Sequence, residues 1–347
     1  MSNKFTPISE IGEFGLIKRI LKGNKNKHNS TKKGPGDDSA VIECFTKKDQ
    51  LISTDMLAEG VHFDPTYTPL KHLGYKSLIV NISDICAMNG IATHALVSLG
   101  IPNKYSVEHI EELYSGIHTA CKNYNIDLIG GDTTSSATGL IISVTIIGEP
   151  SSTEPSYRSG AQPNDVVFVS GDLGGAYLGL QILEREKQIF LEDEKSQPEL
   201  TQYGSILEKQ LKPEARADVI RELKKTGITP SSMIDLSDGL SLDLRHICEA
   251  SSVGAKIFEN KIPISKETSK VANELNIKPL FCALQGGEDY EILFTAPANL
   301  YKKIKKISSI KAVGHITSEK NKIELITASE QAIDLSSEGW DPFLVKK

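Results

Sequence analysis

Short apolar runs alternate along this sequence with longer segments whose apolar residues recur at helical spacing. In the first half, runs typical of strands occupy residues 40–45, 50–55, 94–102, 126–132 and 139–150. Helical spacing predicts helices over residues 11–21, 70–83 and 106–124, the last beginning after the N-cap residue Ser106. The Lys-rich stretch 22–35 predicts a loop. These patterns predict that the first half is a mixed α/β unit.

The second half repeats this alternation. Strand patterns lie at residues 165–172, 231–237, 254–259, 290–296 and 311–316. Helix patterns lie at residues 174–186, 214–226, 238–250, 266–275 and 298–307, and a charged insert spans 187–203. The Ser- and Pro-rich stretch 150–164 separates the two halves. We therefore expect an α/β protein of two domains, residues 1–150 and 151–347.

The composition of the 347-residue chain is ordinary for a soluble protein, with 39% hydrophobic residues and a mean hydropathy of -0.21. The net charge of -6 and the lack of a basic run interleaved with aromatic residues argue against nucleic-acid binding. The longest apolar run, residues 140–147, is too short to cross a membrane. Five scattered cysteines without a CxxC pair indicate a reducing compartment. We expect a soluble, cytoplasmic protein.

Seven aspartates are predicted to lie in turns beside apolar runs, among Gly, Ser and Thr. They are Asp37, Asp38, Asp55, Asp84, Asp132, Asp235 and Asp238. Carboxylate and hydroxyl oxygens suit a hard cation such as Mg²⁺, and small neighbours let a polyphosphate approach the backbone. Taken singly, each of these aspartates also fits a plain turn or a helix N-cap. Their number favours a metal-assisted phosphate site.

The motifs of the common nucleotide-binding and hydrolytic sites are absent. No Gly is followed by Lys, which excludes a P-loop, and residues 34–39 lack the third Gly of a dinucleotide fingerprint. No HRD, DFG, HExxH or GxSxG motif occurs. A protein of this sequence that uses ATP must therefore hold it without a P-loop and without a protein-kinase site.

Eight motifs follow one another in an order that resembles a known enzyme family. They are GEFGLI (12–17), GPGDDSAV (34–41), STDMLAEGVHF (53–63), NISDICAMNG (81–90), GGDTT (130–134), SGDLGGAYLGL (170–180), IDLSDGL (234–240) and GGEDYEILFT (286–295). Together they resemble the thiamine-monophosphate kinase family, a branch of the aminoimidazole-ribotide-synthase-like superfamily. The resemblance runs from about residue 10 to residue 343.

This resemblance implies ATP- and Mg²⁺-dependent transfer of a phosphoryl group to thiamine phosphate, which gives thiamine diphosphate. It implies that several Mg²⁺ ions act with ATP as co-substrate. It also implies a homodimer in which the N-terminal α/β domains pair through a barrel-like sheet, while the C-terminal α/β domain closes over the site.

The resemblance also implies roles for individual residues. It implies a magnesium shell of Asp38, Ser53, Thr54, Asp55, Asp84, Asp132 and Asp235, with Asp238 holding a further ion. Asp84, Asp132 and Asp235 are implied as the catalytic residues. It implies that the nucleotide is bound by Tyr114, Gly131, Asp132, Arg158 and Ser237, and the acceptor by His62, Glu288 and Trp340.

Simpler interpretations of four of these residues stay open. Arg158 also fits a solvated loop residue, and Tyr114 a residue that packs its helix. His62 also fits a histidine with satisfied hydrogen bonds at a strand edge, and Trp340 a surface cover near the end of the chain.

Other functions stay open as well. They are a different ATP-dependent enzyme of the same superfamily, such as a selenophosphate synthase, a metal-dependent phosphohydrolase, and a metal-binding scaffold without turnover. A selenophosphate synthase would require a reactive Cys or selenocysteine near the N-terminus, but the first cysteine is Cys44, in an apolar strand pattern.

Overall fold

The computed structural model describes residue 15 and residues 29–33, 36–43, 49–193 and 200–335. The predicted helix over residues 11–21 lies outside this part of the chain except for residue 15, and so does Trp340. No helix within the described ranges is long and apolar enough to cross a membrane.

The first half forms a six-stranded sheet. Its strands are β1 (Thr31–Lys33), β2 (Ala40–Glu43), β3 (Asp49–Ala58), β4 (Gly90–Ile101), β5 (Asp127–Ser135) and β6 (Ile141–Pro150). They lie in the order β1-β2-β3-β6-β4-β5. Neighbours are antiparallel except β4 and β5, which are parallel. Buried residues alternate with partly exposed ones along β6, so within the described ranges helices cover one face of the sheet.

Two helices cover that face, α1 (Leu70–Ala87) and α2 (Val107–Tyr124). They touch backbone to backbone at two glycines. A Cβ atom on Gly74 would lie 1.9 Å from the Leu113 carbonyl oxygen, and one on Gly116 would lie 1.8 Å from that of Lys71. Only glycine permits this approach. Most of α1 is buried as a result, so the polar side chains on it lie in the interior of the protein.

The second half forms a seven-stranded sheet. Its strands are β7 (Val166–Ser170), β8 (Ser232–Asp235), β9 (Gly254–Phe258), β10 (Ile292–Ala296), β11 (Ile310–Thr317), β12 (Ile323–Ile326) and β13 (Ala332–Asp334). They lie in the order β13-β12-β9-β11-β7-β10-β8, and only β9 and β12 pair in parallel. The helices are α3 (Gly175–Glu192), α4 (Gly204–Leu211), α5 (Ala217–Thr226), α6 (Leu240–Ser251), α7 (Lys266–Glu274), α8 (Pro279–Gln285) and α9 (Tyr301–Ile304).

The two sheets share a core. One cluster of buried apolar side chains extends from β3 and α1 to β7 and β10, and α1 packs directly against β8. Asp235 is the last residue of β8, which is an edge strand of its sheet. The carboxyl-terminal half of α1 and the end of β8 therefore meet at the junction of the two sheets.

Several predicted boundaries are wrong. Helix α1 continues to Ala87, because the apolar spacing persists beyond Asp84, so Asp84 lies inside a helix and not in a turn. Likewise Asp55 and Asp132 lie within β3 and β5. Strand β1 occupies part of the predicted loop, and α3 extends six residues into the predicted charged insert.

Short elements were also missed. Strands β12 and β13 and helices α4 and α8 are too short for their periodicity to be distinctive. The predicted helix over residues 298–307 is a 3₁₀ turn (Ala298–Leu300) followed by the single turn of α9.

Candidate functional site

Three carboxylates from both halves of the chain converge at the junction of the sheets. Asp38 precedes β2, Asp84 lies near the end of α1, and Asp235 ends β8. One oxygen from each lies within 4.8 Å of the other two. Within the described residues, this is the one group of three Asp, Glu, His or Cys side chains that lie close enough together to hold a metal ion. An all-oxygen donor set of this kind suits a hard cation.

Neighbouring groups hold each carboxylate in place. Ser53 Oγ donates to Asp84, and Ser83 Oγ donates to Asp235 Oδ2 at 2.6 Å. The Arg158 guanidinium forms a two-point contact with Asp38, with Nε 2.9 Å and Nη2 2.8 Å from its two oxygens. Planar forked contacts of this type fix orientation as well as distance.

Crowding of like charges makes the cluster favour cation binding. Burial raises the pKa of Asp84 well above its usual range, and the nearby carboxylates of Asp55, Asp235 and Asp38 add to the effect. Burial, with the Asp38 charge, raises the pKa of Asp235 to about 7. A bound cation would relieve both the desolvation and the repulsion.

The remaining residues of the implied magnesium shell lie in different places. The Asp55 carboxylate is close enough to act on the pKa of Asp84. Thr54 faces the other side of β3, where its hydroxyl donates to the Val144 carbonyl oxygen at 3.0 Å. Asp238 lies in the turn before α6, and its backbone N–H donates to the buried Asp243.

Asp132 is far from the cluster within one chain. It lies on the edge strand β5, which is exposed except for the partly buried Leu128 and is three strands away from β3. At roughly 4.8 Å per strand, that separation is about 14 Å. The pairing register places Asp132 in line with Ser98, Ser143 and Met56. Asp132 therefore shares the open face of the sheet with Met56, which is 58% exposed.

Two of the residues implied to contact the nucleotide are Gly131 on β5 and Tyr114 on α2. A Cβ atom on Gly131 would lie 1.7 Å from the Val97 carbonyl oxygen, so only glycine fits at this position between β5 and β4. Tyr114 is partly buried and packs against the core while it lines a shallow groove with Tyr105 and Ile110. Both the packing interpretation and the ligand interpretation of Tyr114 are therefore compatible with its position.

A second polar cluster contains two of the implied acceptor residues. Glu288 and His62 interact electrostatically, and burial lowers the pKa of His62. His62 Nδ1 accepts a hydrogen bond from the Ala58 backbone N–H at 3.0 Å, so the proton of the neutral ring is on Nε2. Two residues that the sequence did not indicate, Lys76 and Gln210, contact the Glu288 carboxylate.

Comparisons with known proteins point to one family. Family models described as the N-terminal and C-terminal domains of AIR synthase related protein match residues 36–149 and 162–326. The thiamine-monophosphate kinase of Aquifex aeolicus is 37% identical over 291 residues, 84% of this chain and 87% of that protein. The Bacillus subtilis enzyme of the same name is 34% identical over 95% of this chain and 99% of its own length.

The chain belongs to the thiamine-monophosphate kinase family. The structure titled "AaThiL complexed with AMPPCP and TMP" superposes with a TM-score of 0.81 at 31% identity, covering 97% of this chain and 99% of that one. The family resemblance expected from the sequence motifs is confirmed.

Sequence motifs indicated some residues of this candidate site and not others. Ser83, Lys76, Gln210 and Asp243 were missed, although Ser83 and Asp243 lie beside or within recognised motifs. Ser83 immediately precedes Asp84, and a polar residue on the buried side of an apolar helix is a usable signal. Lys76 gives the same signal, because it falls among the apolar and small residues Gly74, Tyr75, Ser77 and Leu78, and a lysine on a buried helix face requires a partner.

Proposed function

We propose that this chain transfers the γ-phosphoryl group of ATP to thiamine phosphate and releases thiamine diphosphate and ADP. The observation that carries the proposal is the carboxylate cluster at the junction of the sheets, in a chain that resembles over nearly its full length an enzyme solved with AMPPCP and TMP. We infer domains of residues 1–150 and 151–347, one on each side of that junction.

The acceptor supplies its own nucleophile. The second pKa of a phosphate monoester is about 6, so near neutral pH an acceptor oxygen is already ionised and attacks the γ-phosphorus without a protein base. The bond from that phosphorus to the β-phosphate bridging oxygen breaks, and ADP leaves with the electron pair. The protein must therefore position two polyanions and offset their repulsion.

Asp38, Asp84 and Asp235 fit Mg²⁺, because their oxygens converge and their mutual repulsion favours a cation. We propose that they hold Mg²⁺ with Ser53 and Asp55. When bound, Mg²⁺ supplies charge neutralisation for the transferring phosphoryl group.

The chain's own residues keep this donor set rigid. Ser53 and Ser83 fix the carboxylates of Asp84 and Asp235, while Arg158 fixes that of Asp38. Ser237 joins the cluster to the acceptor side, because its carbonyl oxygen accepts from the Glu288 backbone N–H at 2.8 Å. We propose that His62 and Glu288, with Trp340, contact thiamine phosphate, and that Tyr114 and Gly131 lie against the nucleotide.

We propose further that two copies pair and complete each site. Strand β2 pairs only with Asp49–Ile52 of β3, so the edge of β3 from Ser53 onward carries no other strand within the described ranges. The outer edge of β5 is likewise exposed. Unpaired edges bind other strands. A two-fold partner packed on the open face, in a barrel-like arrangement, brings the partner subunit's Asp132 toward Thr54 of β3.

The test is product analysis with ATP, Mg²⁺ and thiamine phosphate. Equal amounts of ADP and thiamine diphosphate support the kinase. Release of inorganic phosphate without thiamine diphosphate would identify a phosphohydrolase, and binding without turnover would identify a scaffold. The Asp84→Asn variant is the control for a contaminating kinase.

A further inference from the structure

We propose that Lys76 is a positioning residue of the acceptor site, and that it acts by fixing the Glu288 carboxylate. This proposal rests on the proposed function, in which Glu288 contacts thiamine phosphate. Lys76 lies in the middle of α1, on the first half of the chain, whereas Glu288 lies in the turn before β10, on the second. Their contact crosses the junction between the sheets.

The Lys76 ammonium is held by two groups. Its side chain is only 5% exposed. Nζ lies 3.0 Å from Glu288 Oε1 and 3.1 Å from the backbone carbonyl oxygen of Gln210. An ammonium so far from water is costly unless it is paired and hydrogen-bonded. An apolar residue of similar length would fill the same space at lower cost, so the charge calls for an explanation beyond packing.

Both oxygens of the Glu288 carboxylate are occupied from the protein side. Gln210 Nε2 donates to Oε2 at 2.8 Å, while Lys76 holds Oε1. The side chain of Glu288 nevertheless stays 31% exposed. A carboxylate fixed at both oxygens and still open to solvent is set in one orientation before any ligand arrives.

The backbone beneath Glu288 is equally constrained. Gly287 and Glu288 have φ values of +74° and +57°, and a Cβ atom on Gly287 would lie 2.7 Å from the Ser237 carbonyl oxygen. Left-handed backbone at a non-glycine residue persists only where the surroundings enforce it. Because the Ser237 carbonyl also accepts from the Glu288 N–H, movement of Glu288 would disturb the turn after Asp235.

Charge compensation follows from the same geometry. Since Lys76 neutralises Glu288, the carboxylate faces the acceptor mainly as a fixed hydrogen-bond acceptor and not as a free negative charge. Replacement of Lys76 by an apolar residue would release Oε1 and leave the Glu288 carboxylate held by Gln210 alone. The loss should therefore appear in acceptor binding and not in ATP binding.

The experiment compares Lys76→Met, Glu288→Gln and the double variant, with Lys71→Met as a matched control. Lys71 lies on the same helix but is exposed. We expect Lys76→Met to raise the KM for thiamine phosphate by about tenfold or more while the KM for ATP changes by less than about twofold. In the Glu288→Gln background, the same change at Lys76 should add less than about twofold, because the two residues act as one unit.

Two outcomes would overturn the proposal. One is a normal KM for thiamine phosphate in Lys76→Met, and the other is full additivity of the two changes. If Lys76→Met alone melts below the assay temperature, the wild type is compared with the double variant, which leaves neither an unpaired ammonium nor an unpaired carboxylate. An unchanged KM for thiamine phosphate in the double variant would then overturn the proposal. A wild-type protein that forms no thiamine diphosphate contradicts the proposed function itself, before any variant is measured.

Discussion

Ser83 donates a hydrogen bond to Asp235, with 2.6 Å between Oγ and Oδ2, although 152 residues separate them in the sequence. Ser83 immediately precedes Asp84 on α1, so this bond couples the positions of two carboxylates that come from different halves of the chain. The cluster is therefore assembled only when the two sheets pack against each other. Under the proposed function, catalysis and the packing of the two sheets depend on the same contacts.

The first prediction concerns Asp84. We expect Asp84→Asn to lower turnover by about three orders of magnitude, because the site loses one of the charges that hold the cation. The same change should raise the Tm of the metal-free protein, because it removes a carboxylate whose pKa is raised by burial and by repulsion from its neighbours. Turnover assays at saturating Mg²⁺ and thermal melts in chelator measure the two effects. Near-normal turnover would remove Asp84 from the site.

The sequence indicated which residues come together in the candidate site better than it indicated their local structure. The aspartates were recognisable because each lies in a motif with small polar neighbours, and Asp38, Asp84 and Asp235 do converge. The local structure predicted for them was wrong in part. Asp55 was predicted to lie in a turn, but the strand pattern of β3 continues through Asp55 without a visible break. Contacts between distant residues, such as Lys76 with Glu288, leave no local pattern at all.

The second prediction concerns Asp289. This buried carboxylate accepts from the backbone N–H groups of Gly174 and Ala176 at the start of α3. Burial raises its pKa to about 7, from 3.8. The folded state thus binds the proton more tightly than the unfolded state, so the contribution to stability is present at low pH and is lost as the pH rises from about 4 toward 7.

We therefore expect Asp289→Asn to flatten the decline of Tm between about pH 4 and pH 7, measured in chelator so that no metal contributes. Asp334→Asn, at an exposed position on β13, is the matched control. If the wild type and Asp289→Asn lose stability in parallel over this range, Asp289 does not titrate there.

The third prediction concerns the forked contact between Arg158 and Asp38. Lysine keeps the charge but cannot donate from two nitrogens in one plane, so Arg158→Lys should leave Asp38 less well oriented. Charge-assisted hydrogen bonds contribute about 1.5–3 kcal/mol, so we expect kcat/KM for ATP to fall by at least about tenfold. Arg221→Lys, on the exposed side of α5, is the control and should retain activity. Equal activities would show that Arg158 supplies only charge.

The last prediction concerns the distance of Asp132 from the cluster. Within one chain, the register places Asp132 three strands away from β3 and on its open face, so an essential role for Asp132 requires a partner chain. In a two-fold dimer, each site would then combine Asp84 of one chain with the partner subunit's Asp132. Homodimers of Asp84→Asn and of Asp132→Asn should both be inactive.

A heterodimer of the two variants separates the possibilities. One of its sites carries both changes and the other carries neither, so heterodimers purified through two different tags should recover about half of the wild-type activity per dimer. If Asp132 served its own chain, every site would contain one altered residue and the heterodimer would be as inactive as its parents. Recovery therefore requires both the dimer and the contribution of Asp132 across it, whereas an inactive heterodimer of normal size would show that Asp132 does not act on the partner's site.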